Sequence, residues 1–339
     1  MQTRQANTAY TLADVFRGMT LSEMQATAYD MSLPIPSKLR KAEYQEAIIH
    51  AIPEHIGDFL LRLARYELEL LDQLVLIGSG KALIVPTLSI NSALIANHII
   101  QVEFLRNEHA DCFTLSDELR PHIAQCLPAI LNDPDRKPFD RLMQYAFGIT
   151  NLYGALDYKK GMDMIIFRGM IDFDKPEARL LFKRFINSGF FLQCSQETIQ
   201  NGKENQYFTS ALMYELEPVL AETKARKKIV KRYNDFSDEE ILAAGEFPYI
   251  RLMCDGYEEL RKLLRAEFRM SDEQVRGTIQ NLWVLLQYNP NPFHILQEIL
   301  PPISSIDQLQ KLAPAVMRFS NNSPRWILKG FSPSEVNNL

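Results

Sequence analysis

Clustered lysine and arginine side chains are the groups in this sequence whose type and spacing best suit a chemical task, which is the binding of phosphate. Ammonium and guanidinium groups neutralise nucleic-acid phosphates and form charge-assisted hydrogen bonds with them. Three stretches of the chain carry such clusters. They supply the candidate nucleic-acid-binding residues, which are Lys38, Arg40, Lys41, Arg179, Lys183, Arg184, Lys224, Lys227, Lys228, Lys231 and Arg232.

The densest cluster lies between Lys224 and Tyr233. Helical spacing would place its cations on one side and its apolar residues on the other, so the sequence predicts an amphipathic helix with a basic face. Such a face could follow phosphates or contact an acidic partner, and the alternative is a solvated linker helix. The cluster could also be neutralised within the chain by the carboxylates that follow it, Asp235, Asp238, Glu239 and Glu240.

Four carboxylates come nearest to a metal site with nuclease-like chemistry: Asp163, Asp172, Asp174 and Glu177. No supporting polar partner or repeated spacing accompanies them, so a solvated loop and helix start is the favoured interpretation. The sequence has no H-E-x-x-H, Walker, G-x-G-x-x-G or G-x-S-x-G motif, and its four cysteines form no C-x-x-C pair. We therefore expect a non-enzymatic protein with no catalytic residue, no metal site and no cofactor.

Composition and charge are those of an ordinary globular protein. The 339 residues are 46% hydrophobic and 23% charged, and their length suits about two to three domains. A net charge of −5 weighs against a protein that coats nucleic acid but permits a local basic face. The chain has no signal-like start and no apolar run long enough to span a bilayer. We expect a cytoplasmic protein without membrane contact.

The N-terminal segment predicts a helix, an extended connection and a second helix. Thr20, with Glu23 three residues later, forms a capping box that opens a helix from Leu21 to Met31. Pro34 and Pro36 end that helix and force an extended backbone.

Two further helices are expected after this connection. One runs from Lys41 to Ile52 and is ended by Pro53. The other runs from Ile56 to Ile77, where leucines recur at helical spacing.

The stretches Thr20–Leu33 and Ser37–Tyr44 resemble SAP domains and the N-terminal domain of the Rho transcription terminator. The match lies in the apolar face of the first helix and in the Lys-Ala-Glu-Tyr start of the second. The resemblance implies DNA or RNA contact at the N-terminus of the second helix, through Lys38, Arg40 and Lys41. The alternative is a helical packing module with a solvated basic loop, because five basic and seven acidic residues give residues 1 to 58 a net charge of −2.

A helix followed by a hairpin is predicted twice. The first instance has a helix from Leu88 to His98, a strand from Ile100 to Phe104 and a returning strand from Cys112 to Thr114. The second has a helix from Lys175 to Asn187, a strand from Phe190 to Cys194, a turn at Asn201-Gly202 and a strand from Gln206 to Phe208.

These two segments resemble winged helices, in which the helix before the hairpin usually reads DNA. The helix from Leu88 to His98 has no Lys or Arg, so the helix that carries Arg179, Lys183 and Arg184 is the better candidate. The alternative is a coincidental similarity between two common arrangements.

The predicted fold is mainly α with small β-hairpins. Ser237 and Ser271 cap helices of the last part, and the tail from Asn321 to Pro333 resembles a docked terminal arm. The expected domains are a helix-extended-loop-helix module at 1–55, winged-helix-like units at 56–131 and 139–233, and a C-terminal helical domain at 237–339.

Three functions fit these features. The leading hypothesis is a nucleic-acid-binding regulator, for example of transcription. The second is a protein-interaction scaffold that uses the same modules to bind a protein partner, and the third is a metal-assisted hydrolase that uses the acidic cluster. A continuous basic surface on the folded protein would favour the first hypothesis. Basic residues that are paired with internal carboxylates would favour the second. A divalent ion bound near Asp172 and Asp174 would favour the third.

Overall fold

The computed structural model describes residues 2–5, 11–86, 92–105, 110–169, 171–200, 203–300 and 305–336. Backbone contacts divide the chain into two units, of which the first comprises residues 1–140 and 173–193 and the second residues 141–172 and 194–339. Helices make up 61% of the structure and β-strands make up 10%. These proportions confirm the prediction of a mainly helical protein with small antiparallel sheets.

In the first unit, helices pack against a four-stranded antiparallel sheet with the strand order β1-β2-β4-β3. Its strands are β1 Gln2–Gln5, β2 Lys81–Pro86, β3 Ile100–Leu105 and β4 Ala110–Leu115. Its helices are α1 Leu12–Arg17, α2 Leu21–Asp30, α3 Lys41–Leu60, α4 Arg65–Ile77, α5 Ala93–Ala96, α6 Arg120–Leu131 and α9 Pro176–Ile186. Two more helices, α7 Arg136–Tyr153 and α10 Gly189–Cys194, begin in the first unit and end in the second.

The start of α2 confirms the predicted capping box. The Thr20 hydroxyl accepts a hydrogen bond from the Glu23 backbone N–H at 3.2 Å, and a Glu23 carboxylate oxygen accepts from the Thr20 backbone N–H at 2.6 Å. Residues 34–40 then run without helix or strand to α3, as the prolines predicted.

Helix α3 continues through Pro53 to Leu60, so the predicted end at Pro53 is wrong. A proline inside a helix costs about 3 kcal/mol. Ile52, Ile56 and Phe59 are each at most 2% exposed, and burying one such side chain contributes about 2 kcal/mol. Their combined burial outweighs the cost of the proline and keeps the helix intact.

The single helix predicted from Ile56 to Ile77 is instead split between α3 and α4. Leu63 and Ala64 are buried in the break, and the Glu67 carboxylate accepts a hydrogen bond from the Ala64 backbone N–H at 3.1 Å. The buried Arg136 donates to the Leu63 carbonyl. The prediction is wrong because side-chain hydrogen bonds satisfy the backbone groups that the break frees.

In the second unit, a three-stranded antiparallel sheet with the order β5-β7-β6 accompanies a set of helices. Its strands are β5 Ala155–Asp157, β6 Ser195–Gln200 and β7 Lys203–Thr209. Its helices are α8 Tyr158–Arg168, α11 Leu216–Ala225, α12 Asp238–Ala244, α13 Tyr257–Phe268, α14 Asp272–Leu285, α15 Pro292–Ile299, α16 Ile306–Asn322 and α17 Pro333–Val336, with a 3-10 turn at Trp326–Leu328.

The C-terminal arm, residues 323–336, is docked as expected. The Trp326 indole N–H donates to the Asn151 carbonyl at 2.7 Å, and the Trp283 indole N–H donates to the Pro324 carbonyl at 2.9 Å. The two indole rings meet edge to face, and both side chains are at most 1% exposed. The arm therefore belongs to the core of the second unit.

The first predicted hairpin is present in β3–β4, whereas the first strand of the second is formed by other residues than predicted, with β6 at Ser195–Gln200 paired to β7, and its turn at Asn201-Gly202 lies outside the described residues. The predicted strand from Phe190 to Cys194 is wrong, because these residues belong to α10. Phe190 is fully buried and stacks on Phe185 with ring centres 5.5 Å apart. A short apolar run suits a buried helix as well as a strand, and here burial against another helix decides.

The helix predicted from Leu88 to His98 is described only as α5, because residues 87–91 lie outside the described part of the chain. The helix α9 is grouped with the first unit, whereas the hairpin β6–β7 is grouped with the second. The predicted boundary after residue 55 lies inside α3. The fourfold domain division and the winged-helix assignment stay predictions.

Candidate nucleic-acid interface

The basic segment, defined here as residues 224–233, is not the helix that its spacing predicted. Helix α11 ends at Ala225, and Arg226 occupies the position that follows its last turn. One further turn closes when the Val230 backbone N–H donates to the Arg226 carbonyl at 2.9 Å. From Lys231 onward the segment has neither helix nor strand.

The C-terminal arm bonds backbone groups of Val230 and Asn234, which follow the end of the helix. The Lys329 ammonium donates to the Val230 carbonyl at 2.9 Å, and the Asn234 backbone N–H donates to the Lys329 carbonyl at 3.0 Å. The Asn234 side-chain amide also donates to the Gly330 carbonyl at 3.3 Å. Backbone groups that a longer helix would use internally are thus bonded to a distant part of the chain.

Tyr233, at the end of the basic segment, is surrounded by cations. The Lys160 ammonium lies 3.9 Å from the centre of the Tyr233 ring, and the Lys329 ammonium lies 5.5 Å from it. Both distances permit cation–π attraction. The Tyr153 ring meets Tyr233 edge to face at 5.4 Å. Burial raises the pKa of Tyr233, and nearby Asp157 adds to the increase, so this ring stays neutral.

The positive charge of Lys329 is repelled by those of Lys160 and Lys227. The pKa of Lys329 is lowered first by burial and then by the charges of Lys160 and Lys227. Lys160 and Lys227 are therefore close enough to Lys329 for their charges to interact with it. We call this arrangement the Tyr233 patch, and it comprises Tyr233 together with Lys160, Lys329 and the exposed side chains of Lys224, Lys227, Lys228, Lys231 and Arg232.

The acidic residues that follow the basic segment do not neutralise it. Asp235 and Asp238 pair instead with the guanidinium of Arg168, at 3.0 and 2.9 Å. The Glu240 carboxylate accepts hydrogen bonds from the Ser237 backbone N–H and hydroxyl, both at 2.8 Å.

The cations of the basic segment differ in whether a carboxylate lies close to them. Arg226 pairs with Glu222. Within the described ranges, no carboxylate lies within 4 Å of the charged nitrogens of the segment's other cations, Lys224, Lys227, Lys228, Lys231 and Arg232. These five cations therefore carry uncompensated charge toward solvent.

The first unit places Lys38, Arg40 and Lys41 at the start of α3, and all three side chains are exposed. Arg40 immediately precedes the helix, and its backbone N–H donates to the Glu43 carboxylate at 2.9 Å. A phosphate at this helix end would meet the Glu43 charge, so the site is a weaker anion receptor than an unoccupied helix N-terminus.

Helix α9 uses two of its three candidate cations within the first unit. The Arg184 guanidinium lies 4.4 Å from the Phe139 ring centre and donates to the Leu61 carbonyl at 2.9 Å. Arg179 donates to the Phe173 carbonyl. Lys183 is exposed. The three cations therefore do not form a uniform face toward solvent.

The acidic cluster does not form a metal site in the part of the chain that the structure describes, where no three His, Cys, Asp or Glu side chains are placed to share an ion. Asp163 and Asp172 instead line a shallow groove of about 410 Å³ together with Ile166, Phe167 and Ile171. Within the described residues, no helix is both long and apolar enough to cross a membrane.

Sequence patterns did not identify Lys160, Lys329 or Arg168. Lys160 and Lys329 are far from Tyr233 in the sequence, and only the tertiary fold brings them to its ring. Arg168 decides whether the nearby carboxylates are available to the basic segment, and no local motif reveals that pairing. No protein-family model, curated protein or solved structure matches this chain.

Proposed function

We propose that this protein is a non-enzymatic nucleic-acid-binding protein that holds a phosphate backbone on the Tyr233 patch. The observation that carries the proposal is the pairing of Arg168 with Asp235 and Asp238. This pairing engages two of the carboxylates that follow the basic segment in the sequence. Exposed cations without counter-charges attract a polyanion, and the released counterions drive binding.

The positive charge of the basic segment is compatible with the negative net charge of the whole chain. Although the chain has a net charge of −5, six lysines and arginines and no acidic residue lie between residues 224 and 233. Electrostatic attraction between exposed charges is screened beyond about 8–10 Å at ordinary salt concentrations. A phosphate at the patch therefore responds mainly to these cations and not to the distant negative charge.

The Tyr233 ring favours backbone contact over base recognition. Lys160 lies over the ring at 3.9 Å, so the ring holds a cation and is not open for a base to stack on that face. Contacts to phosphates fix position but read no sequence. We therefore infer binding that depends weakly on nucleic-acid sequence and strongly on salt.

Fluorescence anisotropy with labelled duplex DNA and single-stranded RNA at rising NaCl concentrations tests the proposal. The variant Lys228→Glu/Lys231→Glu reverses two exposed charges of the patch. We expect at least tenfold weaker binding and a log–log salt slope that is shallower by about 2.

The matched control is Lys81→Glu/Lys262→Glu, which changes the net charge equally at two exposed positions outside the basic segment. Its affinity should stay within about threefold of the original protein. Equal losses in both variants would show attraction to net charge alone. Absence of binding by the original protein at low salt would refute the proposal.

A second nucleic-acid contact belongs to the same proposal. The exposed Lys38, Arg40 and Lys41 precede α3, and the surrounding stretch resembles SAP domains and the Rho N-terminal domain. If these residues assist the patch, Lys38→Glu/Lys41→Glu should weaken binding less than the patch variant, because Glu43 already occupies this helix end. A regulatory role, including in transcription, is proposed on this resemblance alone.

The protein-interaction scaffold is the second candidate function. The groove at Phe167 favours it, because this ring is 75% exposed beside two isoleucines. Large exposed apolar side chains in a concave site are typical of surfaces that bind proteins. A partner bound there would leave nucleic-acid binding by the patch unaffected unless it also covered the basic segment.

A further inference from the structure

The groove in the second unit lies at the end of α8. It is lined by the apolar residues Ile166, Phe167 and Ile171 and by the acidic residues Asp163 and Asp172. After α8 the chain folds back, since the Ile171 backbone N–H donates to the Ile166 carbonyl at 3.1 Å. The groove is thus formed by one continuous segment.

The chemistry of the groove specifies its occupant. An apolar side chain would cover the exposed Phe167 ring, and the removal of apolar surface from water favours association. A cation beside that apolar side chain would complement the charge of the exposed Asp163. The groove therefore fits a short segment in which an exposed aliphatic residue is accompanied by lysines.

The protein itself carries such a segment. Ile229 is 60% exposed, and it follows Lys227 and Lys228 in the basic segment. Lys231 lies two residues further on and is also exposed. An exposed isoleucine in a run of lysines has no evident use in phosphate binding, whereas it matches the apolar floor of the groove.

Helix α8 contacts the basic segment near its start and carries a groove residue near its end. Lys160, near the start of the helix, contacts Tyr233 at the end of the basic segment, and Phe167 lies near the end of the helix. At 1.5 Å per residue these positions are about 10 Å apart. Lys160, Asp163 and Phe167 are spaced by three and four residues, so they lie on one side of the helix.

We propose that two copies of this chain form a symmetric dimer in which the basic segment of each copy occupies the groove of the other. A two-fold axis that crosses α8 brings the basic segment beside the start of one helix to Asp163 and Phe167 of its partner, and the reverse contact follows by symmetry. The contact is made twice and closes on itself, so it yields a dimer rather than a filament. This inference goes beyond nucleic-acid binding and does not rest on it, but it uses the same basic segment, so the dimer contact and a bound phosphate backbone would compete for Lys227, Lys228 and Lys231.

Sedimentation equilibrium at several protein concentrations, in low and high salt, tests the dimer. The original protein should dimerise in low salt and dissociate as salt rises, because the paired charges are at the surface. Ile229→Asp and Asp163→Lys should each be monomeric. The control Leu180→Asp changes an apolar side chain on α9 that is 70% exposed, and it should leave the dimer intact.

A charge exchange separates this interface from a general loss of association. In Asp163→Lys/Lys228→Asp, each dimer contact again joins a lysine to an aspartate, so dimerisation should return. Circular dichroism and thermal unfolding confirm that each variant is folded. A monomeric original protein, a dimer that survives both Ile229→Asp and Asp163→Lys, or a double variant that stays monomeric would each overturn the proposal.

Discussion

The Lys160 ammonium lies 3.9 Å from the centre of the Tyr233 ring and joins the start of α8 to the end of the basic segment. The Lys329 ammonium is near the same ring and also bonds the Val230 carbonyl. The conformation of the basic segment therefore depends on contacts with two distant parts of the second unit. This dependence can be tested at Tyr233 without removing a positive charge.

Tyr233→Leu should weaken nucleic-acid binding and lower the free energy of unfolding. The substitution removes the cation–π attraction to two lysines, which contributes about 0.5–2 kcal/mol, while the ring's volume is partly kept. We expect a severalfold loss of affinity in the anisotropy experiment and a lower urea midpoint. Tyr233→Phe keeps the ring and is the control. If Phe and Leu have the same effect, the ring's attraction for cations is not what positions the segment.

Arg168→Gln should weaken nucleic-acid binding although Arg168 lies outside the Tyr233 patch. The substitution leaves Asp235 and Asp238 without their cation, so their charges become available to the basic segment. The salt slope should become shallower because fewer phosphates are needed to neutralise the patch. Circular dichroism checks that the fold is retained.

The control for Arg168→Gln also removes the charges of Asp235 and Asp238. Asp235→Asn and Asp238→Asn, added to Arg168→Gln, should restore most of the affinity. If the affinity of the triple variant stays as low as that of Arg168→Gln, the loss is due to a structural change and not to charge.

Trp326→Ala should strongly destabilise the second unit. The indole is 1% exposed and donates to the Asn151 carbonyl at 2.7 Å, and its ring meets Trp283 at 5.6 Å. Truncation of a buried tryptophan typically costs about 3–5 kcal/mol. The neighbouring Ile327→Ala, at a partly exposed position, should cost much less. Urea unfolding followed by circular dichroism measures both, and equal losses would contradict a specific anchoring role of Trp326.

Gly154 packs against the side chain of Trp326. It adopts a φ of +75°, and an added Cβ would lie 2.2 Å from the Trp326 side chain. Gly154→Ala should therefore also destabilise the second unit, through both backbone strain and overlap with the indole. The same urea experiment checks this, and an unchanged midpoint would contradict it.

Local features of the sequence predicted the fold where neighbouring residues decide it. The capping boxes at Thr20, Ser237 and Ser271 each use a side chain three residues away, and all three are observed. Pro53 and the run from Phe190 to Cys194 were misjudged because burial against distant residues decided the outcome. Propensity contributes tenths of a kcal/mol per residue, whereas burial of a large side chain contributes several times more.

The candidate site was predictable only in part for a similar reason. The cations of the basic segment are adjacent in the sequence, so their cluster is visible without a structure. Lys329 reaches them because the C-terminal arm is docked, and the same arm bonds backbone groups of Val230 and Asn234 that a longer helix would use internally. Periodicity carries no information about a competing partner that lies about a hundred residues away in the sequence.

Glu67 should make the first unit less stable as the pH rises. Its carboxyl group is fully buried, and among the described residues it accepts hydrogen bonds from neutral groups, which include the Ser92 hydroxyl at 2.8 Å, the Gln193 amide at 3.1 Å, and the backbone N–H groups of Ala93 and Ala64 at 2.9 and 3.1 Å. Burial raises the pKa of Glu67 above its ordinary value, and these hydrogen bonds offset only part of the increase.

The sign of the effect follows from the direction of this pKa shift. A carboxyl group with a higher pKa in the folded than in the unfolded state stabilises the fold fully below the unfolded pKa. That stabilisation is lost as the pH rises through the folded pKa. Glu67→Gln resembles the protonated acid and does not titrate. The difference in unfolding free energy between the original protein and Glu67→Gln should therefore fall as the pH rises.

Urea unfolding of both proteins between about pH 4 and pH 8 measures this difference, and subtraction removes the contributions of carboxyl groups common to both. Those contributions have the opposite sign for Asp14 and Glu23, whose pKa values are lowered chiefly by hydrogen bonds with Thr11 and Thr20. The exposed Glu46→Gln is the control and should give a difference that hardly changes with pH. A Glu67 difference that is constant, or that grows as the pH rises, would show that the hydrogen bonds stabilise the charged carboxylate more than burial destabilises it.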